Sequence, residues 1–252
     1  MNSLNFPMDF YRMIFKNPSQ SQNSCIAIMG GGGKTGLLLR LGKELSRYYN
    51  KVLMTSLTKS GFNHGDNVVF MDTVEREGFS SLFEQYNPLF IMHSMIDSTK
   101  LVGISESVLN DMVKKSTVCL FECDGARNRS LKVHNRIDPE VPDFATHIII
   151  VVGADVVNTK LSDGKVHRPD LFAKVWKIDN HFTLDVDFVT KVVTSKTGYL
   201  SKVPNNPALI YFVNKAEDYP TNAELLAQSI FKKSTCPTFY GSLYANFWKA
   251  VI

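Results

Sequence analysis

Residues 30–35 read GGGGKT, and they stand between an apolar run, Cys25–Met29, and an amphipathic stretch, Thr35–Tyr49. In that stretch Leu37, Leu38, Leu41, Leu45 and Tyr48 recur at helical spacing and predict one apolar face. A buried strand, a glycine turn and a helix opening on Lys-Thr form the setting in which a phosphate-binding loop works. Glycines let the backbone come close to phosphate oxygens, while the loop N–H groups and the helix N-terminus supply partial positive charge. The expected contacts to a nucleoside triphosphate are Gly30, Gly31, Gly32, Gly33, Lys34 and Thr35. Lys34, read as an exposed loop lysine, is expected on the β- and γ-phosphates, and the Thr35 hydroxyl on a magnesium ion. The loop is compact. Position 28 is Ile28 rather than the first glycine of a GxxxxGK[ST] pattern, and Met29 stands where a KGGxGKT loop has its additional lysine.

Short apolar runs and helical patterns alternate through the rest of the chain. Val52–Leu57, Leu89–His93, Val118–Cys123, His147–Val152 and Leu209–Val213 read as further strands, and most lack polar alternation, so both faces are buried. Parallel pairing needs crossover connections, which helices at Glu106–Lys115, Asp185–Lys196 and Asn222–Lys233 supply. The predicted fold is therefore α/β, three-layered and P-loop NTPase-like, with a mostly parallel central sheet. One domain is expected over residues 1–252, with 1–22 as an N-terminal extension in which Met8–Phe15 forms a short packed helix. Ser60–Asp66, Asp124–Val141 and Lys202–Pro207 read as loops.

A hydrophobic fraction of 44% and a charged fraction of 21% are those of an ordinary globular protein. The formal net charge is only +4 and the cations are scattered rather than gathered in a stripe, so no nucleic-acid partner is expected. Four cysteines, Cys25, Cys119, Cys123 and Cys236, form no CxxC pair and fall mostly in apolar runs, which fits free thiols in a reducing cytoplasm. Apolar runs such as Ile148–Val152 are far short of the roughly 20 residues of a membrane helix, so no membrane partner is expected either.

Val118–Asp124 reads VCLFECD, an apolar strand ending on two acids and followed by Gly125. In open α/β sheets ligands sit at the carboxyl ends of strands, so these acids are expected to face the nucleotide. Asp124 is the expected holder, with Thr35, of the magnesium ion or its water, and Glu122 is expected to act on the attacking or accepting group. The alternative for both is a plain cap of the following turn.

With these segments in place, the chain resembles the YqeC-like family of accessory proteins linked to selenium-dependent molybdenum hydroxylases. The landmarks occur in order: the glycine loop at Gly30–Thr35, LMTSLTK at Leu53–Lys59, and ECDGARNRSLK at Glu122–Lys132 for an EADGA-type segment that runs on to a Leu-Lys pair. VVGAD at Val151–Asp155, HRP at His167–Pro169 and NKAED at Asn214–Asp218 follow, so the likeness covers roughly residues 25 to 240. Cys123 replaces the family's alanine and Gly36 its second threonine, and neither change removes a phosphate ligand. The resemblance implies a role in maturing a molybdenum enzyme. The partners it implies are a molybdenum hydroxylase and a molybdopterin or selenium-containing small molecule.

Asn214 and Lys215 follow an apolar strand as the base-reading NKxD segment of GTP-binding proteins does, although Glu217 stands where the aspartate would be and Asp218 one residue later. Both are candidates to shape a base pocket, with ATP, GTP and CTP all open. Arg168 is a candidate to hold a phosphate or anionic substrate with a bidentate charge, or else marks an ordinary helix start with Pro169 in its first turn. Lys59, Arg127, Arg129 and Lys132 either line an anionic pocket or are solvated surface charges. The histidines show no metal-ligand spacing with the cysteines. The expected catalytic set is thus Lys34, Glu122, Asp124 and Arg168. The expected activity is that of a magnesium-dependent NTPase or phosphoryl or nucleotidyl transferase, and the alternative is a nucleotide-gated maturation factor with slow turnover.

Overall fold

The structure is a computed structural model that describes residues 9–61, 67–136, 138 and 141–251. A nine-stranded sheet lies at its centre. In spatial order its strands are Phe247–Ala250, Thr238–Ser242, Ala208–Asn214, His147–Gly153, Ser24–Gly30, Val118–Glu122, Val52–Ser56, Leu89–Met92 and Val68–Phe70. All neighbours pair in parallel except Phe247–Ala250, which runs antiparallel to Thr238–Ser242. Every strand expected from an apolar run is in this sheet. Those not expected, Val68–Phe70, Thr238–Ser242 and Phe247–Ala250, lie at or next to its edges, where incomplete burial removes the need for a continuous apolar run.

Both faces of the central strands are covered. Along Ser24–Gly30, Cys25, Ala27 and Met29 join one hydrophobic core while Ile26 and Ile28 join the other, as the twofold period of a strand requires. The helices are α1 (Lys34–Leu45), α2 (Met71–Glu77), α3 (Phe79–Gln85), α4 (Glu106–Val113), α5 (Pro169–Trp176), α6 (Val186–Thr194) and α7 (Pro220–Ser234). On one side, Leu37, Leu38, Leu41 and Leu45 of α1 pack with Phe10, Tyr11, Met13 and Phe15. Buried residues of α3 to α7 fill the other core, which completes three layers.

Several boundaries shift from expectation. The first helix ends at Leu45, and Tyr48 lies in the turn beyond it, 47% exposed, so it does not belong to the apolar face. The N-terminal stretch forms a 3-10 turn at Phe10–Met13, and Met8 falls outside the described residues. This extension is part of the core: the buried Glu44 of α1 accepts the Tyr11 N–H at 2.9 Å and pairs with Arg40. Ser60–Gly61 pairs with Lys100–Val102 in a small three-stranded sheet, whereas 62–66 lie outside the described residues. Within Asp124–Val141, Leu131–Lys132 pairs with Val166–His167. Cys25, Cys119 and Cys123 are buried free thiols. Among the described residues no helix is long and apolar enough to cross a membrane.

The sheet order positions the site. Ser24–Gly30, the first strand among the described residues, is flanked by Val118–Glu122 and His147–Gly153, so later segments close on both sides of it. The carboxyl ends of these three parallel strands form one edge, at the point where the strand order reverses.

Candidate functional site

The glycine loop leaves its strand between those two neighbours. Gly31 N–H donates to Val151 O and Gly32 N–H to Arg129 O, both at 2.9 Å. Gly32 and Gly33 have φ of 83° and 128°, a conformation that side chains rarely adopt. A Cβ at Gly31 would stand 2.5 Å from Arg129 O, and one at Gly32 2.4 Å from Gly153 N. Backbone neighbours on the protein side therefore demand glycine here, in addition to any ligand on the other side.

Lys34 opens α1 with its side chain folded back over the loop. Its Nζ donates to Gly30 O at 2.8 Å and lies 3.3 Å from Asp124 Oδ1. At 6% exposure it is buried, which corrects the expectation of an exposed loop lysine. Burial alone lowers a lysine pKa, but the carboxylates of Asp124 and Glu122 outweigh it and hold Lys34 above its ordinary value.

Asp124 has no exposed surface and is fully engaged. Its oxygens accept the Gly30 N–H at 2.9 and 3.1 Å, Lys132 Nζ lies at 3.3 Å, and His134 Nε2 at 2.9 Å. Burial would raise this carboxyl's pKa. Lys34, Lys132 and His134 reverse that and hold it well below the usual carboxylate range. Lys132 is itself completely buried, which corrects its reading as a pocket or surface charge. It donates to Gly125 O at 2.7 Å and to Asp138 at 2.8 Å, and Asp138 in turn holds Arg168 Nη1 at 3.0 Å. A chain of alternating charges, Lys34, Asp124, Lys132, Asp138 and Arg168, thus connects the glycine loop to the start of α5.

Glu122 differs from Asp124 in every respect but burial. It is 5% exposed and lines the cleft described below together with Thr35, whose hydroxyl is close enough to favour the ionised carboxylate. Its Oε1 has no hydrogen-bond partner among the described residues. Burial raises its pKa, and Lys34 and Thr35 only partly offset that, so the carboxyl sits above its ordinary value.

A cleft of about 790 Å³ opens over these groups, within the usual size of a small-molecule site. Gly32–Gly36 and Glu122 line one part of it; Lys59, Lys100, Arg127, Arg129 and Arg168 line the rest. Lys34, Thr35, Glu122 and Arg168 are thereby brought together, with Gly30, Gly31 and Asp124 behind them. Asn214 and Lys215 are not among the lining residues. Asn214 Nδ2 donates to Gly32 O at 2.7 Å while its Oδ1 accepts the Leu243 N–H at 3.1 Å, so it clamps the loop to the Thr238–Ser242 strand end. Lys215 Nζ bonds Ser130 Oγ at 2.8 Å and Asp155 Oδ2 at 3.0 Å. Here the structure departs from the expected base pocket, because both side chains are committed to protein groups that brace the loop. His134 and Asp138 were not signalled by metal spacing or by any motif. The trace of His134 in the sequence is its alternation with Lys132 at the end of a short strand, which places both on one side, and Asp138 leaves none.

Among the described residues no group of three or more His, Cys, Asp or Glu side chains is gathered to hold a metal ion. An ion at this site would draw its protein ligands from Thr35 and the free oxygen of Glu122, and the rest from phosphate. That donor set, all oxygen with one carboxylate, fits magnesium.

A family model described as YqeC protein matches residues 26–170, a span that includes the loop, Glu122–Lys132 and the first residues of α5. A protein of Escherichia coli (strain K12) described as "Uncharacterized protein YqeC" is 27% identical over 216 residues, covering 82% of this chain and 83% of that protein. No solved structure matches.

Proposed function

The chain belongs to the YqeC protein family, and from that premise we propose that it is a P-loop protein that binds a magnesium nucleoside triphosphate at Gly30–Thr35 and transfers a phosphoryl or nucleotidyl group. The observation that carries this reading is Glu122. A buried carboxylate with an unpartnered oxygen, beside the Thr35 hydroxyl and at the mouth of a glycine loop, is costly to keep unless a cation completes it.

The roles follow from the contacts. The N–H groups of Gly33, Lys34 and Thr35 at the α1 N-terminus are the ones left for the phosphates, since those of Gly30, Gly31 and Gly32 are donated to protein oxygens, and Lys34 exchanges Gly30 O for a phosphate oxygen while staying beside Asp124. Thr35 and Glu122 hold the ion, which when bound neutralises charge on the phosphate oxygens. Asp124, expected as the metal ligand, instead positions Lys34 and the Gly30 N–H, since protein groups already engage its oxygens. Arg168, anchored at Nη1 by Asp138, presents the rest of its guanidinium at the cleft for the transferred group or the acceptor.

The family resemblance supports a place in the maturation of a selenium-dependent molybdenum hydroxylase in the cytoplasm. A molybdopterin or selenium-containing small molecule is the acceptor class it suggests, with ATP, GTP and CTP all candidates as donor. One observation favours the slower, nucleotide-gated factor as a second reading. The described acids lining the cleft are Glu122 and Asp138, and Asp138 is bound by Lys132 and Arg168. If Glu122 holds the ion, none of these is left as a general base.

Calorimetric titration of each nucleotide with and without magnesium, followed by turnover, tests the proposal. Magnesium-dependent binding by the wild type and its loss in Glu122→Gln are expected. Absence of any triphosphate binding would overturn the reading, and tight binding without measurable turnover would select the gated factor.

A further inference from the structure

The cleft holds more positive charge than a nucleotide at the loop can use. A triphosphate there already has the N–H groups of the α1 N-terminus, Lys34 and a magnesium ion. Lys59, Lys100, Arg127, Arg129 and Arg168 are additional, and they arrive from four separate segments of the chain. Apart from Arg168, which Asp138 anchors, none of these cations makes an ion pair among the described residues. The described acids lining the cleft with them are Glu122, assigned to the ion, and Asp138, already bound by Lys132 and Arg168, while Asp97, across the strand pair from Lys100, lies outside the lining.

We propose that the half of the cleft built by these five cations is a second anion site, shaped for a dianionic phosphate ester of a small molecule that serves as the second substrate. The inference rests on the phosphate-loop reading for its partner but not for its own geometry. Cations lining one concave site concentrate an anion there far more than the same charges spread over a surface. Three of the five are arginines, whose planar forks match phosphate oxygens in pairs, and a singly charged carboxylate would leave most of the charge unmatched. Arg127 and Asn128 adopt φ of 46° and 59°, so this turn holds an uncommon conformation at the place where its arginines flank the cleft. The positive field registers on His167 at the cleft wall. Burial first, and then Arg168, Lys132 and Arg127, push its pKa down to about 4.

The test titrates phenyl phosphate into the full chain saturated with magnesium and a non-hydrolysable nucleotide analogue, at constant ionic strength. One equivalent should bind, roughly tenfold more weakly in the Lys100→Ala/Arg127→Ala variant, whose affinity for the analogue should stay within about twofold. Benzoate should bind at least about tenfold more weakly than phenyl phosphate. No binding to the saturated wild type, undiminished binding by the variant, or benzoate binding as tightly would each overturn the proposal. If that variant does not fold, Lys59→Ala/Lys100→Ala replaces it with the same expected loss. If the wild type takes up no analogue, the phosphate-loop reading fails separately, and phenyl phosphate is titrated alone. Loss in the double variant but not in Lys34→Ala then supports the second site, and any other pattern overturns it.

Discussion

The Lys34 ammonium and the Asp124 carboxylate lie 3.3 Å apart, the first 6% exposed and the second not exposed at all. Removing one member of a buried pair strands the other, a loss of about 3–5 kcal/mol in general. Asp124→Ala leaves both Lys34 and Lys132 without this carboxylate and the Gly30 N–H without an acceptor, so the full loss is expected. Lys34→Ala leaves Asp124 with Lys132, His134 and the Gly30 N–H and should cost less, about 1–3 kcal/mol, while lowering triphosphate affinity at least about tenfold. Urea unfolding of both variants checks the order. Equal losses would mean that the pair does not share its partners as described.

The two acids should respond to pH in opposite senses. Asp124 has its pKa depressed by folding, so its stabilisation is present above the ordinary aspartate value of about 3.9 and fades as pH falls below it. Glu122 has its pKa raised, so the wild type is favoured below the ordinary glutamate value of about 4.3 and loses ground as pH rises through the raised one. Stability relative to Asp124→Asn should therefore shrink in acid, and stability relative to Glu122→Gln should shrink toward neutral pH. Denaturant midpoints across the acid range measure both. Parallel curves would contradict the assigned environments.

For Asn214, the clamp on Gly32 O and Leu243 N–H sets the expectation. Asn214→Ala should cost about 1–2 kcal/mol and weaken ATP, GTP and CTP binding by similar factors. A change of base preference in competition assays would instead return this residue to the base pocket.

His167 is a reporter of the second anion site. With a pKa of about 4 it is neutral at neutral pH. Phenyl phosphate bound among Arg168 and Arg127 should offset their charge and raise the imidazole's NMR titration midpoint toward the ordinary histidine value of about 6.5. An unmoved midpoint at saturation would place the anion elsewhere.

How far the residue pattern revealed this site depended on distance along the chain. The glycine loop, its strand and its helix were legible because each is a local pattern, and the continuous apolar runs disclosed the strands that are buried on both faces. Edge strands such as Val68–Phe70 are short and only half-buried on one face and leave a weaker trace. The strand end bearing Glu122 and Asp124 was legible too, but the division of labour between the acids was not. It depends on Lys132 and His134, which reach Asp124 only through a short pairing between Leu131–Lys132 and Val166–His167. Asn214 misled for a related reason. A motif describes residue types in order, and whether an amide faces a base or the loop's own carbonyl is decided by a strand end at Leu243.

The order of the strands also has a consequence in time. Ser24–Gly30 is made first, yet its neighbours are Val118–Glu122 and His147–Gly153, and the loop is held by carbonyls of Arg129 and Val151. During synthesis these partners emerge late, so until residue 153 has left the ribosome the nascent loop has an apolar strand behind it and nothing on either side. The segment that would recognise the nucleotide is translated well before the strands that flank it and takes shape only after them.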